Sequence, residues 1–73
     1  MRITYDSKYD VLYLKFKEGV KEVVNENLSE DITLDLDASG KIVGIEILSA
    51  SEHIDLETLL PIEITKTPTT RTA

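Results

Sequence analysis

The chain has 73 residues, with fourteen Asp and Glu against eight Lys and Arg, no Cys, and a formal net charge of -6. That length supports at most one domain with a small core, and the lack of Cys excludes disulfides and thiolate metal sites. No apolar run approaches the ~20 residues of a membrane-spanning helix, and Met1-Arg2-Ile3-Thr4-Tyr5-Asp6 does not begin a secretory leader, so the expectation is a soluble cytoplasmic protein with no membrane partner.

The charge is uneven. Residues 1–21 carry a net +2, residues 22–63 a net -10 with Lys41 as their one basic residue, and the last ten residues a net +2. An acidic middle of this kind argues against nucleic acid, which needs clustered Lys and Arg.

Alternation with period two runs through most of the chain. Arg2-Ile3-Thr4-Tyr5 reads as a first strand and Asp6-Ser7-Lys8-Tyr9-Asp10 as a turn. A second strand, Val11 to Phe16, places Leu12, Leu14 and Phe16 on one face and Val11 and Tyr13 on the other. After a turn at Lys17-Glu18-Gly19, Val20 to Leu28 mixes Val with Glu and Asn, the pattern of a half-exposed or edge strand. Asp31 to Leu36 alternates cleanly, Asp37-Ala38-Ser39-Gly40 is a turn, and Ile42 to Leu48 is a fifth strand. A four-residue loop at 37–40 would set Leu34 opposite Val43 and Ile32 opposite Ile45, matching apolar residues on one face.

The pattern changes at Ser49-Ala50-Ser51-Glu52, which has the spacing of a capping box and predicts a helix of two to three turns ended by Pro61. The fold class expected is α+β: an antiparallel meander of about five strands followed by one short C-terminal helix. Residues 2–61 would form this single β-rich domain, and residues 62–73 a short extended segment and a flexible Thr-rich tail. The face of the last strand bearing Ile42, Gly44, Glu46 and Leu48 is not purely polar, so the helix or a second subunit should cover part of it.

The segment Asp35 to Glu46 admits a second reading. Asp35, Asp37 and Ser39 fall at positions one, three and five of a calcium-binding EF-hand loop, Gly40 at its sharp turn and Glu46 at position twelve. The flanks are wrong for it. An EF-hand loop joins two helices, whereas these flanks alternate like strands, and Val43 at position nine offers no side-chain oxygen. The hairpin is therefore the primary reading. Metal binding through Asp35, Asp37, Ser39 and Glu46 is the alternative.

His53, the one histidine, lacks a second metal ligand or a nucleophile at useful spacing and reads as a residue at the helix start or surface. Asp6 and Asp10 flank one turn. They would matter catalytically only if the fold brought them to Asp35 or Glu46 with split pKa values, and turn capping is the ordinary role. Tyr5 and Tyr13 should lie on paired strands and contribute to core and cross-strand packing. No phosphate-binding glycine loop is present, because Gly40 and Gly44 enclose the start of a strand.

Tyr5-Asp6, then Asp10-Val11-Leu12-Tyr13-Leu14, then Asp35-x-Asp37-x-x-Gly40-x-Ile42-Val43-Gly44-Ile45-Glu46-Ile47-Leu48-x-Ala50-Ser51 resembles the domain-of-unknown-function family DUF2283, over about residues 3–51. The resemblance implies a short bacterial or archaeal protein with a small β-rich domain, and it brings no catalytic residue and no cofactor. Some family members lie near genes resembling toxins, which implies an antitoxin-like partner role. The expected function is a non-enzymatic, self-associating interaction module, a homo-oligomer with Ile42, Gly44, Leu48, Ile54 and Leu59 as interface candidates.

Overall fold

The computed structural model describes residues 1–59. The expected helix end at Pro61, the extended segment and the Thr-rich tail lie outside the described residues. Five strands, β1 (Arg2–Asp6), β2 (Val11–Lys15), β3 (Val24–Asn27), β4 (Ile32–Leu36) and β5 (Ile42–Leu48), precede a one-turn helix α1 (Ala50–His53) and a 3-10 turn (Leu56–Thr58). The α+β architecture follows the sequence pattern. All strand pairs are antiparallel and form one sheet in the order β1-β2-β5-β4-β3. A β1–β2 hairpin and a β3-β4-β5 meander thus meet along β2 and β5, which makes β5 the central strand.

Cross-strand partners share a face, so the registers sort the side chains. Ile3, Leu14, Ile45 and Leu34 form one apolar row, and Tyr5, Leu12, Ile47 and Ile32 form the next. Leu12, Ile47 and Ala50 are buried, and Ile3, Leu14, Ile32, Ile45, Ile54, Leu56 and Leu59 pack around them. Full burial of a side chain such as Leu12 contributes about 1.5–3 kcal/mol. Only Leu12, Val43, Ile47 and Ala50 reach that state among the described residues, so the margin over chain entropy is narrow.

Three local expectations are corrected. In the β4–β5 hairpin Ile32 pairs with Ile47 and Leu34 with Ile45, a slip of two from the four-residue loop. The loop closes more tightly: the Asp37 amide donates to the Lys41 carbonyl and Gly40 takes φ 84. The register then shifts again, with Leu36 opposite Ile42 and Asp35 opposite Gly44, leaving Val43 as the extra residue of a bulge. A slip of two preserves the faces of Ile32, Leu34, Ile45 and Ile47, so their apolar match survives, while the bulge carries Ile42 to the face of Leu36.

The third strand is shorter than the pattern suggested, Val24–Asn27, and all four residues are exposed at the sheet edge. The helix is also shorter. Ser49 adopts φ 52 and makes no side-chain capping bond, and Ile54 returns to extended backbone at φ -127. Asp55 then accepts a hydrogen bond from the Glu57 amide and starts the separate 3-10 turn. A single turn has too few backbone hydrogen bonds to hold itself and depends on its tertiary contacts. Those contacts lie on the Leu12–Ile47 side of the sheet, opposite the Gly44–Glu46 face for which the helix or a second subunit was the expected cover.

Candidate functional site

The second face of the sheet is polar. Lys15, Gly44, Asp35 and Asn25 form one row across β2, β5, β4 and β3, and Tyr13, Glu46, Thr33 and Asn27 form the next. Glu46 stands directly opposite Tyr13, yet the phenol leans diagonally over Gly44 to reach Asp35. Its hydroxyl donates to Asp35 Oδ2 at 2.7 Å. A Cβ on Gly44 would lie 2.8 Å from Tyr13 Cζ and 2.9 Å from the Leu14 carbonyl oxygen, closer than real Cβ atoms come, so glycine is what admits the ring. Asn25 Nδ2 donates to the other carboxylate oxygen of Asp35, and Thr33 Oγ1 donates to Asn27 Oδ1 at 2.9 Å. The linked side chains of Tyr13, Asp35 and Asn25 join β2, β4 and β3, three of the five strands, across β5 and from outside the core.

The chemistry of this cluster is that of a fixed donor. The hydrogen bond to the Asp35 carboxylate, followed by desolvation, pushes the Tyr13 phenol up to about 12. Near neutral pH it stays protonated.

A second cluster joins the β1–β2 turn to α1. Asp10 adopts φ 57, a conformation that Asp tolerates better than most residues. Its carboxylate accepts the Ser51 amide at 3.0 Å, the Ser51 hydroxyl at 2.6 Å and the Tyr5 hydroxyl at 2.7 Å. Its carbonyl accepts the Ala50 amide. Asp10 thus caps the helix from a distant turn, the role expected of Ser49. The Ser51 and Tyr5 hydroxyls hold the Asp10 carboxyl below its usual range, and the same bond to Asp10 raises the Tyr5 phenol. His53 Nε2 lies 2.9 Å from Asp31 Oδ2 and ties the exposed end of α1 to the start of β4.

The acidic segment is the loop of a hairpin. Asp37 Oδ1 accepts the Ser39 amide, the Ser39 hydroxyl and the Lys41 amide, and Oδ2 lies 3.3 Å from Lys17 Nζ. These donors, the Ser39 hydroxyl foremost, hold its carboxyl well below the usual range. Asp35 turns to Tyr13 and Asn25 instead, and Glu46 lies one row away on β5. Among the described residues no three His, Asp or Glu side chains converge as a metal site. Asp6 Oδ1 accepts the Lys8 and Tyr9 amides at the β1–β2 turn. Asp6, Asp10 and Asp35 therefore have separate partners and do not meet.

The interface candidates separate. Ile42 and Leu48 are exposed, Gly44 is buried beneath Tyr13, and Ile54 and Leu59 pack on the core. Tyr5 and Tyr13 do sit on paired strands, but on opposite faces. The sequence reading missed the Tyr13–Asp35–Asn25 linkage and the capping role of Asp10. Gly44 inside a strand was the available signal, since such a glycine marks a close approach.

The motif residues Tyr5, Asp10, Tyr13, Asp35, Gly44 and Ser51 take part in these two clusters, joined by Asn25 from outside the motif. The family model described as a protein of unknown function, DUF2283, matches residues 2–51. An uncharacterized protein of Methanocaldococcus jannaschii is 42% identical over 57 residues, which cover 78% of this chain and 47% of the relative. The chain thus spans about half the length of that curated relative. No solved structure matches it.

Proposed function

The chain belongs to the DUF2283 family, whose function is unknown, and for this member we propose a non-enzymatic interaction module that associates with itself. One observation carries the reading. The short α1 and the 3-10 turn pack at the Leu12–Ile47 end of the apolar face. At the other end Phe16 stays 40% exposed and Val24 59% exposed. Around them Leu34, Leu36 and Ile45 are only half-buried. Apolar surface left uncovered on so small a core favours a partner. The side-chain clusters described above are occupied by structural hydrogen bonds, and no contact among the described residues favours an antitoxin role or calcium binding over self-association.

Sedimentation equilibrium from micromolar to millimolar protein tests the reading. A mass of twice the chain or more is expected, together with a melting temperature that rises with protein concentration. A single monomeric species across that range overturns it.

A further inference from the structure

Among the described residues the sheet has two unpaired edges, β1 and β3, and they differ in chemistry. β3 reads Val24-Asn25-Glu26-Asn27, and Glu26 pairs with Leu34, which puts a carboxylate on the apolar face. Two β3 strands meeting about a two-fold axis would set Glu26 against either Glu26 or Val24 of the other copy. An inward-facing charge of this kind blocks edge pairing.

β1 reads Arg2-Ile3-Thr4-Tyr5-Asp6 and is self-complementary. About a two-fold axis normal to the sheet, paired residues must share a face, so only even register sums are allowed. The register centred on Thr4 uses all five residues. It sets Thr4 against Thr4 once, at the axis, and twice each Ile3 against Tyr5 on the apolar face and Arg2 against Asp6 on the polar face. Registers centred on Ile3 or Tyr5 lose these charge pairs.

The groups on this edge are open to such a partner. Within its own sheet Arg2 faces Lys15, like charge opposite like, and it joins no ion pair among the described residues. Asp6 uses Oδ1 for the turn amides, and Oδ2 has no hydrogen bond among the described residues. Tyr5 is 42% exposed.

Resting on the self-association reading, we propose that β1 is the docking edge and its partner is the β1 strand of a second copy of this chain, paired antiparallel about Thr4. The pairing makes one continuous ten-stranded sheet. Both apolar faces lie on the same side. β-strand addition supplies main-chain hydrogen bonds, and the Arg2–Asp6 pairs select the register.

Two experiments on the full chain test it. The chain has no Cys, so Thr4→Cys introduces a lone thiol at the axis, where paired strands bring Cα atoms about 4.5–5.5 Å apart, within disulfide reach. Mild oxidation is expected to give a covalent dimer for Thr4→Cys and little for Asn25→Cys on β3. In the second, Arg2→Asp and Asp6→Arg each set like charges against each other and are expected to weaken the dimer roughly tenfold. An equimolar mixture of the two should restore it as a heterodimer, because each then faces its opposite. Circular dichroism confirms that both variants fold. If Asp6→Arg unfolds through its turn, the cysteine pair decides alone. A wild-type dimer with no preferential Thr4→Cys crosslink overturns the β1 edge and leaves self-association standing. A monomeric wild type overturns both.

Discussion

Tyr13 occupies the space that a side chain at Gly44 would fill. The ring crosses from β2 over β5 to donate its hydroxyl to Asp35 on β4, 2.7 Å away. The polar face of the sheet therefore has its own packing, in which a missing Cβ, a phenol and a carboxylate specify one another. This links residues of the family motif to the alignment of strands.

Gly44→Ala should destabilise the fold by about 1–3 kcal/mol, the usual cost of forcing extra volume into a packed site. In a strand interior the same change would otherwise be favourable, so a neutral or stabilising result in urea denaturation contradicts the ring placement. Adding Tyr13→Ala should recover part of the loss, and this coupling is read from the double-mutant cycle.

Tyr13→Phe should cost about 1–2 kcal/mol, as one hydrogen bond to a charged acceptor is lost. The raised phenol also predicts alkaline behaviour. Folding favours its protonated form, so the stabilisation is complete below the ordinary phenol value of about 10 and is lost as pH rises through about 12. In an ultraviolet titration of the folded protein Tyr13 should ionise late, and Tyr13→Phe should remove that late step.

Asp10 and Asp37 are both held below the ordinary carboxylate range. For a depressed pKa the stabilisation is present above the unfolded value of about 3.9 and is lost as pH falls toward the folded value. Urea midpoints should therefore hold from neutral pH to about pH 5 and decline below about pH 4. Asp37→Asn should lower the plateau and flatten the decline.

Asp10 combines a cap with a left-handed backbone. Asp10→Gly loses the cap but keeps φ 57 accessible, whereas Asp10→Ala loses both. Asp10→Ala should therefore be the less stable of the two. In both, the Ser51 amide should exchange faster with solvent than in the wild type, because the Asp10 carboxylate is its acceptor, whereas the Ala50 amide keeps the main-chain carbonyl of residue 10.

Millimolar calcium should not raise the melting temperature. The oxygens of Asp37 serve the loop and Lys17, and those of Asp35 serve Tyr13 and Asn25. A rise, by linkage, would mean that the folded state binds the ion and that the hairpin opens to do so.

The faces of the strands were legible because side-chain direction alternates with every residue and needs no knowledge of neighbours. Leu12 and Leu14 were assigned to one face of their strand, and Ile32 and Leu34 to one face of theirs, on that basis, and the registers place all four on the same face of the sheet. The hairpin turn was legible too, since Asp37, Ser39 and Gly40 carry local turn chemistry. The exact β4–β5 register was not. A slip of two leaves the alternation intact, and no local signal marks the bulge at Val43 that carries Ile42 to the face of Leu36, so the hydrophobic pattern cannot fix the register.

By itself, then, the amino-acid order determined the strand-forming segments, their inner faces, the acidic turn and the family, because all of these rest on local periodicity or local chemistry. The tertiary structure alone decided that β5 is central, that Asp10 caps a helix reached only after four intervening strands, and that Tyr13 passes over Gly44 to Asp35. Each is a meeting of distant segments. Which segments meet depends on how the whole apolar face is buried, and no window of the chain contains that information.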